Sequence, residues 1–326
     1  MKFLQIASLA TATLALPLDE GIAAHQTTSC TSPKVRKSWA AATDAEKRSY
    51  IDAVLCLPTK PSRLNIATHD NLYDDFGYIH AKLSAPQRIH GEPVFLPWHR
   101  YFVQVYEDAL HECGYTGAAM YWDWVADSGA PASAAVWDPV LGFGGNGSAT
   151  SENGEGKWRV VDGPFRNLRP TYWNVTDTPD PHYLSRDFFR AIPEANPPYQ
   201  EMLGWQYNQD VMDTITPIDN YLNFRIQLES RPHGVVHSAI GGSRGDMGPN
   251  TSPNDPIFFL HHTMVDKIWW QWQQHNPQTR TLAYEGTRND GAAASLDDIM
   301  PMLGLAEDKV VRDYMDTQGG ALCYTY

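Results

Sequence analysis

Two histidines four residues apart, His233 and His237 in RPHGVVH, are the residues of this chain best suited to hold a metal. On a helix they project from one face and can grip a single ion. His262, inside SPNDPIFFLHHTMVDKIWW (residues 252–270), offers a third imidazole, and His80, His90 and His99 make a second set of three. Six imidazoles with no cysteine or carboxylate among them suit copper or zinc rather than calcium or magnesium. Zinc peptidases also use His-x-x-x-His, but they need a glutamate directly after the first histidine as general base. Gly234 stands there, so the hydrolytic rival lacks its catalytic group. His261 precedes His262, and adjacent helical side chains diverge by roughly 100°. His262 is therefore taken as the ligand and His261 as a residue lining or backing the site. Asp266, one turn beyond His262, is expected to orient that imidazole, as carboxylates commonly do behind metal-binding histidines.

These side chains need helices to position them. Asp255-Pro256 marks a helix start, with proline at the first helical position behind an aspartate cap, and the aromatic-rich run through Trp270 follows it. LPWHRYFVQVYEDALH (96–111) has Pro97 in its first turn and an apolar side that continues to Leu110, so it is expected as a strong helix carrying His99. Residues 219–240 are expected to be helical with an interruption near Arg231-Pro232, and YDDFGYIHAKL to be a short helix holding His80. Pro86 and Gly91 mark a loop around His90. Helical periodicity also covers residues 32–57, with Thr43 capping AEKRSYIDAVLCL, and a short helix is expected near 296–303. Residues 241–254 read as a glycine-rich loop, and 127–217 as a long irregular stretch whose Trp and Tyr content favours ordered packing. The fold class is mainly α, with four principal helices, long irregular loops and little β structure.

Composition limits the function classes. The 326 residues contain no linker, repeat or charge block, so one domain is expected, and a hydrophobic fraction of 42% is enough for a sizeable core. A net charge of -13 argues against nucleic acid or an anionic membrane as partner. Residues 1–24 begin with Lys2, continue through a short apolar run and end among small residues, as a secretory signal does, with cleavage after Ala15 or Ala24. An oxidising destination makes two disulfides the expected state of Cys30, Cys56, Cys113 and Cys323. Three pairings are open; Cys30 with Cys323, tying the chain ends, and Cys56 with Cys113, tying two helices, is the favoured one. Asn146, Asn174 and Asn250 lie in Asn-x-Ser/Thr sequons and are candidate glycosylation sites in a secreted chain.

HGEPVFLPWHRYF (90–102) and SPNDPIFFLHHTMVDKIWW together resemble the two copper-binding signatures of the tyrosinase, catechol oxidase and haemocyanin superfamily, and YDDFGYIH resembles the short secreted fungal polyphenol oxidases. The resemblance runs from about residue 32 to the end. It implies a four-helix bundle around a dinuclear copper site, with His80, His90 and His99 on one ion and His233, His237 and His262 on the other. It implies O2 as co-substrate, small phenols as substrates, and a single catalytic domain over 25–326 without a C-terminal lid, secreted and monomeric. Many eukaryotic relatives link a cysteine to one histidine of the first copper; no cysteine lies between Cys56 and Cys113 here, so that bond cannot form. Glu229 matches the place where plant-type relatives hold a water near the metals, and beside two cations its carboxylate is expected to stay ionised. Relatives that hydroxylate monophenols often carry Asn where Gly234 stands. The expectation is oxidation of o-diphenols to o-quinones, with weak monophenol hydroxylation and acceptance of o-substituted phenols. The alternatives are a tyrosinase with strong monophenol activity and, from a different class, a haemocyanin-like O2 carrier.

Overall fold

The computed structural model describes residues 30–326 apart from 85–87, 152, 154–155, 175 and 196–199; the expected signal at 1–24 lies outside them. Thr43 starts the first long helix by serving backbone groups that have no partner inside it. Its hydroxyl accepts from Glu46 N at 3.3 Å while the Glu46 carboxylate accepts from Thr43 N at 2.8 Å, a reciprocal cap. This helix is α1 (Asp44–Cys56). It is followed by α2 (Leu72–Ser84), α3 (Phe95–Glu112), α4 (Gln209–Ile215), α5 (Tyr221–Leu228), α6 (Gly234–Gly241) and α7 (Ile257–His275). Asn71, Asn208 and Asn220 accept from backbone N–H groups at the starts of α2, α4 and α5. Asp255 does the same for Ile257 at the head of α7, so that helix begins within one residue of the place expected.

Pro232 explains the break between α5 and α6. It has no N–H to continue the i→i−4 ladder, and the chain passes it in a five-residue π turn, Glu229–His233, before helical bonding resumes. The interrupted rod α5–α6 joins α2, α3 and α7 in a four-helix bundle. Aromatic rings fill its centre: Tyr106 of α3 stacks on Phe259 of α7, and Phe76 of α2 stands edge-on to Phe102, Tyr106 and Phe259. Such edge-to-face pairs favour one fixed arrangement beyond the area they bury.

Among the described residues β structure consists of isolated bridges such as Ser38 with Tyr121 and six two-residue strands, β1 (Lys34–Val35), β2 (Gly147–Ser148), β3 (Arg159–Val160), β4 (Ile299–Met300), β5 (Lys309–Val310) and β6 (Tyr324–Thr325). β1 pairs in parallel with β6, while β2–β3 and β4–β5 are antiparallel. Two expected helices are absent. Residues 32–42 form β1 and a single 3-10 turn at Trp39–Ala41, because pairing with β6 and the Cys30–Cys323 disulfide bind this segment to the end of the chain. Residues 296–303 hold β4, whose bonds to β5 replace helical ones. In the opposite sense, the stretch 127–217 contains α4 besides its 3-10 turns. The second disulfide, Cys56–Cys113, joins the ends of α1 and α3.

Candidate metal centre

His80 comes from α2, His99 from α3, His233 from the π turn, His237 from α6, and His261 and His262 from α7; His90 stands on the loop before α3. One ring nitrogen from each of His80, His90 and His99 lies within 4.8 Å of the others, and the same holds for His233, His237, His261 and His262. The two groups adjoin: the His99 and His262 rings stack at 4.3 Å between centroids, and those of His90 and His233 are 6.1 Å apart. Seven histidines spread over more than 180 residues thus converge on one place.

Backbone carbonyls set the tautomers. Nδ1 of His80 lies 2.6 Å from the Asn250 carbonyl, His99 Nδ1 2.8 Å from that of Phe95, and His233 and His237 Nδ1 each 2.9 Å from those of Glu229 and Met247. A carbonyl only accepts, so each Nδ1 carries the proton and each Nε2 presents a bare lone pair. The Nε2 atoms of His80 and His99 face each other at 3.4 Å, two acceptors with no proton between them, an arrangement that a shared cation relieves. Burial holds all seven imidazoles below their ordinary pKa, with the neighbouring rings adding to it for most of them; His90 falls to about 3 and His237 to about 4. They are neutral at physiological pH, the state in which imidazole binds a metal.

One sequence expectation needs correction. Asp266 does not orient His262. Its carboxylate accepts from Arg100 Nε, Tyr324 Oη and Tyr326 Oη at 2.5 Å and from Arg36 at 3.3 Å, because two buried guanidinium groups compete for it more strongly than a neutral ring. His262 Nδ1 has no partner among the described residues. His261, taken as a residue lining or backing the site, stacks on His233 at 5.3 Å and stands within the second group.

Glu229 is half-buried in the wall behind the two groups. Its Oε1 accepts from Gly91 N at 2.6 Å, next to His90, and its Oε2 from Arg225 at 2.8 Å. Burial raises the Glu229 carboxyl, and the hydrogen bonds from Gly91 and Arg225 offset this only in part, so in the metal-free protein it takes up a proton more readily than the sequence suggested. Gly234 lines a cavity of about 240 Å³ together with His80, His90, His233 and His237, and Ser238, Gly248 and Pro249 complete its small-residue rim. The larger hollow of about 520 Å³ between α4 and α7 contains none of the six expected ligands. The candidate glycan acceptors Asn174 and Asn250 are exposed, while Asn146 is half-buried and its Oδ1 accepts from Gly147 N and Phe188 N. The carbonyls of Met247 and Asn250 escaped the sequence reading, since every residue has a carbonyl and none signals its use.

The donors fit a pair of copper ions. They are all imidazoles, and His233 Nε2, both nitrogens of His261 and His262 Nδ1 are buried without a hydrogen-bond partner among the described residues, a costly state that metal coordination would relieve for His233 Nε2. Helical bundle and paired histidine groups together define a type-3 dicopper architecture. Residues 70–275 match the family profile described as the common central domain of tyrosinase. Tyrosinase ustQ of Aspergillus flavus is 37% identical over 301 residues, which span 91% of this chain and 80% of that protein. N-acetyl-6-hydroxytryptophan oxidase ivoB of Emericella nidulans is 29% identical over 360 residues, covering 97% and 98% of the two chains. Among solved structures, a polyphenol oxidase variant from Thermothelomyces thermophila is similar with a TM-score of 0.73 at 26% identity, over 90% of this chain and 88% of that one. The chain belongs to the tyrosinase family and is a phenol-oxidising copper enzyme.

Proposed function

We propose that the enzyme oxidises o-diphenols to o-quinones with O2 as acceptor, with one copper on His80, His90 and His99 and the other on His233, His237 and His262. When bound, the copper pair supplies electron transfer from phenol to dioxygen, two diphenols and one O2 giving two o-quinones and two waters. Its small-residue rim supports a planar phenolic ring as substrate. The name of the relative ivoB carries a hydroxylated aromatic with one ring hydroxyl, N-acetyl-6-hydroxytryptophan, which supports a phenolic substrate without favouring diphenols over monophenols.

Gly234 is the observation that favours diphenols over monophenols. It lines the cavity directly after His233 and places no hydrogen-bonding side chain there. A monophenol must lose its hydroxyl proton and gain an oxygen, whereas a diphenol needs only to deliver two protons and two electrons, so a missing water-holding group penalises the monophenol first. In this reading Glu229 handles protons through the lone pairs that Gly91 and Arg225 leave free. Oxygen consumption by copper-loaded protein, measured with catechol and with phenol, tests the assignment. Faster turnover of catechol supports it, faster turnover of phenol makes the enzyme a monophenol-hydroxylating tyrosinase, and O2 binding without turnover of either makes it a carrier.

A further inference from the structure

His80 and His237 belong to different histidine groups, yet their Nδ1–H groups end on one loop. His237 donates to the Met247 carbonyl at 2.9 Å and His80 to the Asn250 carbonyl at 2.6 Å. Acceptors of this kind fix the plane and tautomer of a metal-binding imidazole. The loop between α6 and α7 therefore sets two ligands, and whatever holds it sets them together.

Asp246 holds it. This residue has no exposed surface, and its carboxylate is fully engaged: Oδ1 accepts from His182 Nε2 at 2.9 Å and from Asn254 Nδ2 at 3.1 Å, and Oδ2 accepts from Ser185 N at 2.8 Å. Its own N–H donates to the Ser185 carbonyl at 2.9 Å. His182 donates from its other nitrogen to the Asp180 carbonyl at 2.7 Å, so both ring nitrogens give protons and the ring is held as an imidazolium against a buried carboxylate. The fit is close, for a Cβ at Gly245 would lie 2.7 Å from the Arg186 Cα and one at Gly241 would lie 2.2 Å from Gly248 N. Met247, whose carbonyl takes His237, is the next residue after Asp246.

We propose that Asp246 and His182 are positioning residues for both metals at once, acting through the Met247 and Asn250 carbonyls on one ligand of each group. The proposal rests on the reading of those groups as two copper sites. Neither residue lines the cavity or touches a ligand imidazole. Loosening this anchor weakens both sites together, whereas damage to one group's own support weakens one.

The test uses copper-loaded wild type, Asp246→Asn and His182→Gln. Copper per chain and the rate of copper transfer to a chelator are measured, together with thermal midpoints with and without copper. An asparagine cannot accept from Ser185 N, His182 and Asn254 simultaneously, while a glutamine at position 182 still donates one hydrogen bond to Asp246 without the charge. Asp246→Asn is expected to release both coppers in one phase, faster by at least about tenfold, and to narrow the gap between holo and apo midpoints, with His182→Gln intermediate. A purely structural role would lower both midpoints equally and leave release unchanged; that result, or release of one copper alone, overturns the proposal. If Asp246→Asn fails to fold, His182→Gln decides by the same criteria. A wild type that binds fewer than two coppers overturns the dicopper reading itself and is recognised before the variants are compared.

Discussion

Replacing Gly234 with asparagine asks what decides between phenols while leaving the scaffold alone. Gly234 has φ −63° and ψ −31°, ordinary helical values, and a Cβ there would meet only the Glu229 carbonyl, at 3.5 Å. No strain follows. Asparagine is a slightly better helix residue than glycine, so stability should hold or rise by up to about 0.5 kcal/mol. The new amide would stand beside His233 at the cavity as a group able to hold a water. One added hydrogen bond contributes about 1.4 kcal/mol at most in such a setting, or about tenfold in rate if it acts only in the monophenol reaction. The ratio of phenol to catechol turnover should therefore rise about tenfold, read by oxygen consumption, with the thermal midpoint within about 2 °C of wild type. Gly234→Ala separates hydrogen bonding from mere occupation of space and should leave the ratio unchanged. An equal rise in both variants, or none in either, refutes the assignment of selectivity to a missing hydrogen bond.

Asp266→Asn should destabilise the fold by about 3 kcal/mol in urea unfolding at neutral pH, since Arg100 and Arg36 lose their shared buried carboxylate while Arg36 keeps Glu107; a loss under about 1 kcal/mol would show the network to be dispensable. Burial raises the Asp266 carboxyl but Arg100 and Arg36 outweigh it and hold the pKa down, so its contribution is complete above the ordinary aspartate value and fades as pH falls through the lowered one. Wild type and variant should accordingly begin to converge in stability as pH falls below about 4 and meet only below the lowered value. Copper retention, measured after dialysis, should be flat down to about pH 5 and fall near the value of about 4 to which burial lowers His237, and loss centred on pH 6.5 would contradict that burial. Glu229→Gln keeps an acceptor for Gly91 N, so it should retain copper and lose turnover, while Glu229→Ala should also bind the first copper about 10-fold more weakly; equal copper content in both would remove the clamp on the His90 loop.

The helices that position the site were legible because their signals are local. Thr43 and Glu46 are a capping pair three residues apart, Pro232 interrupts its own helix, and His233 and His237 share a face whatever surrounds them. Asp266 misled for the same reason: spacing puts it one turn from His262, but its choice of partner depends on Arg36, 230 positions earlier, and on Tyr324 and Tyr326 at the other end of the sequence. The absent helices at 32–42 and 296–303 fail likewise, since each stretch takes its hydrogen bonds from a distant strand or a disulfide rather than from itself. His182 and Asp246 are 64 positions apart and carry no motif. Periodicity reports what a segment would do alone; the interior charges are arranged by the segments that come to meet it.

His90 shows why that distinction matters for the metals. Unlike His80, His99, His233 and His237, its ring makes no hydrogen bond among the described residues, and no cysteine is present to tether it. Its loop is instead held along the backbone: Glu229 takes Gly91 N, Tyr221 Oη donates to the Pro93 carbonyl at 2.6 Å, and Glu92 accepts from Asn289 N at 3.1 Å. Tyr221 lies on α5, and Glu229, in the adjoining π turn, also supplies the carbonyl that fixes His233. The least restrained ligand of the first group is thus held by the same rod that carries the second. With the α6–α7 loop joining His80 to His237, two separate connections run between the groups. These shared supports, the rod behind His90 and His233 and the loop behind His80 and His237, tie the geometry of each group to that of the other.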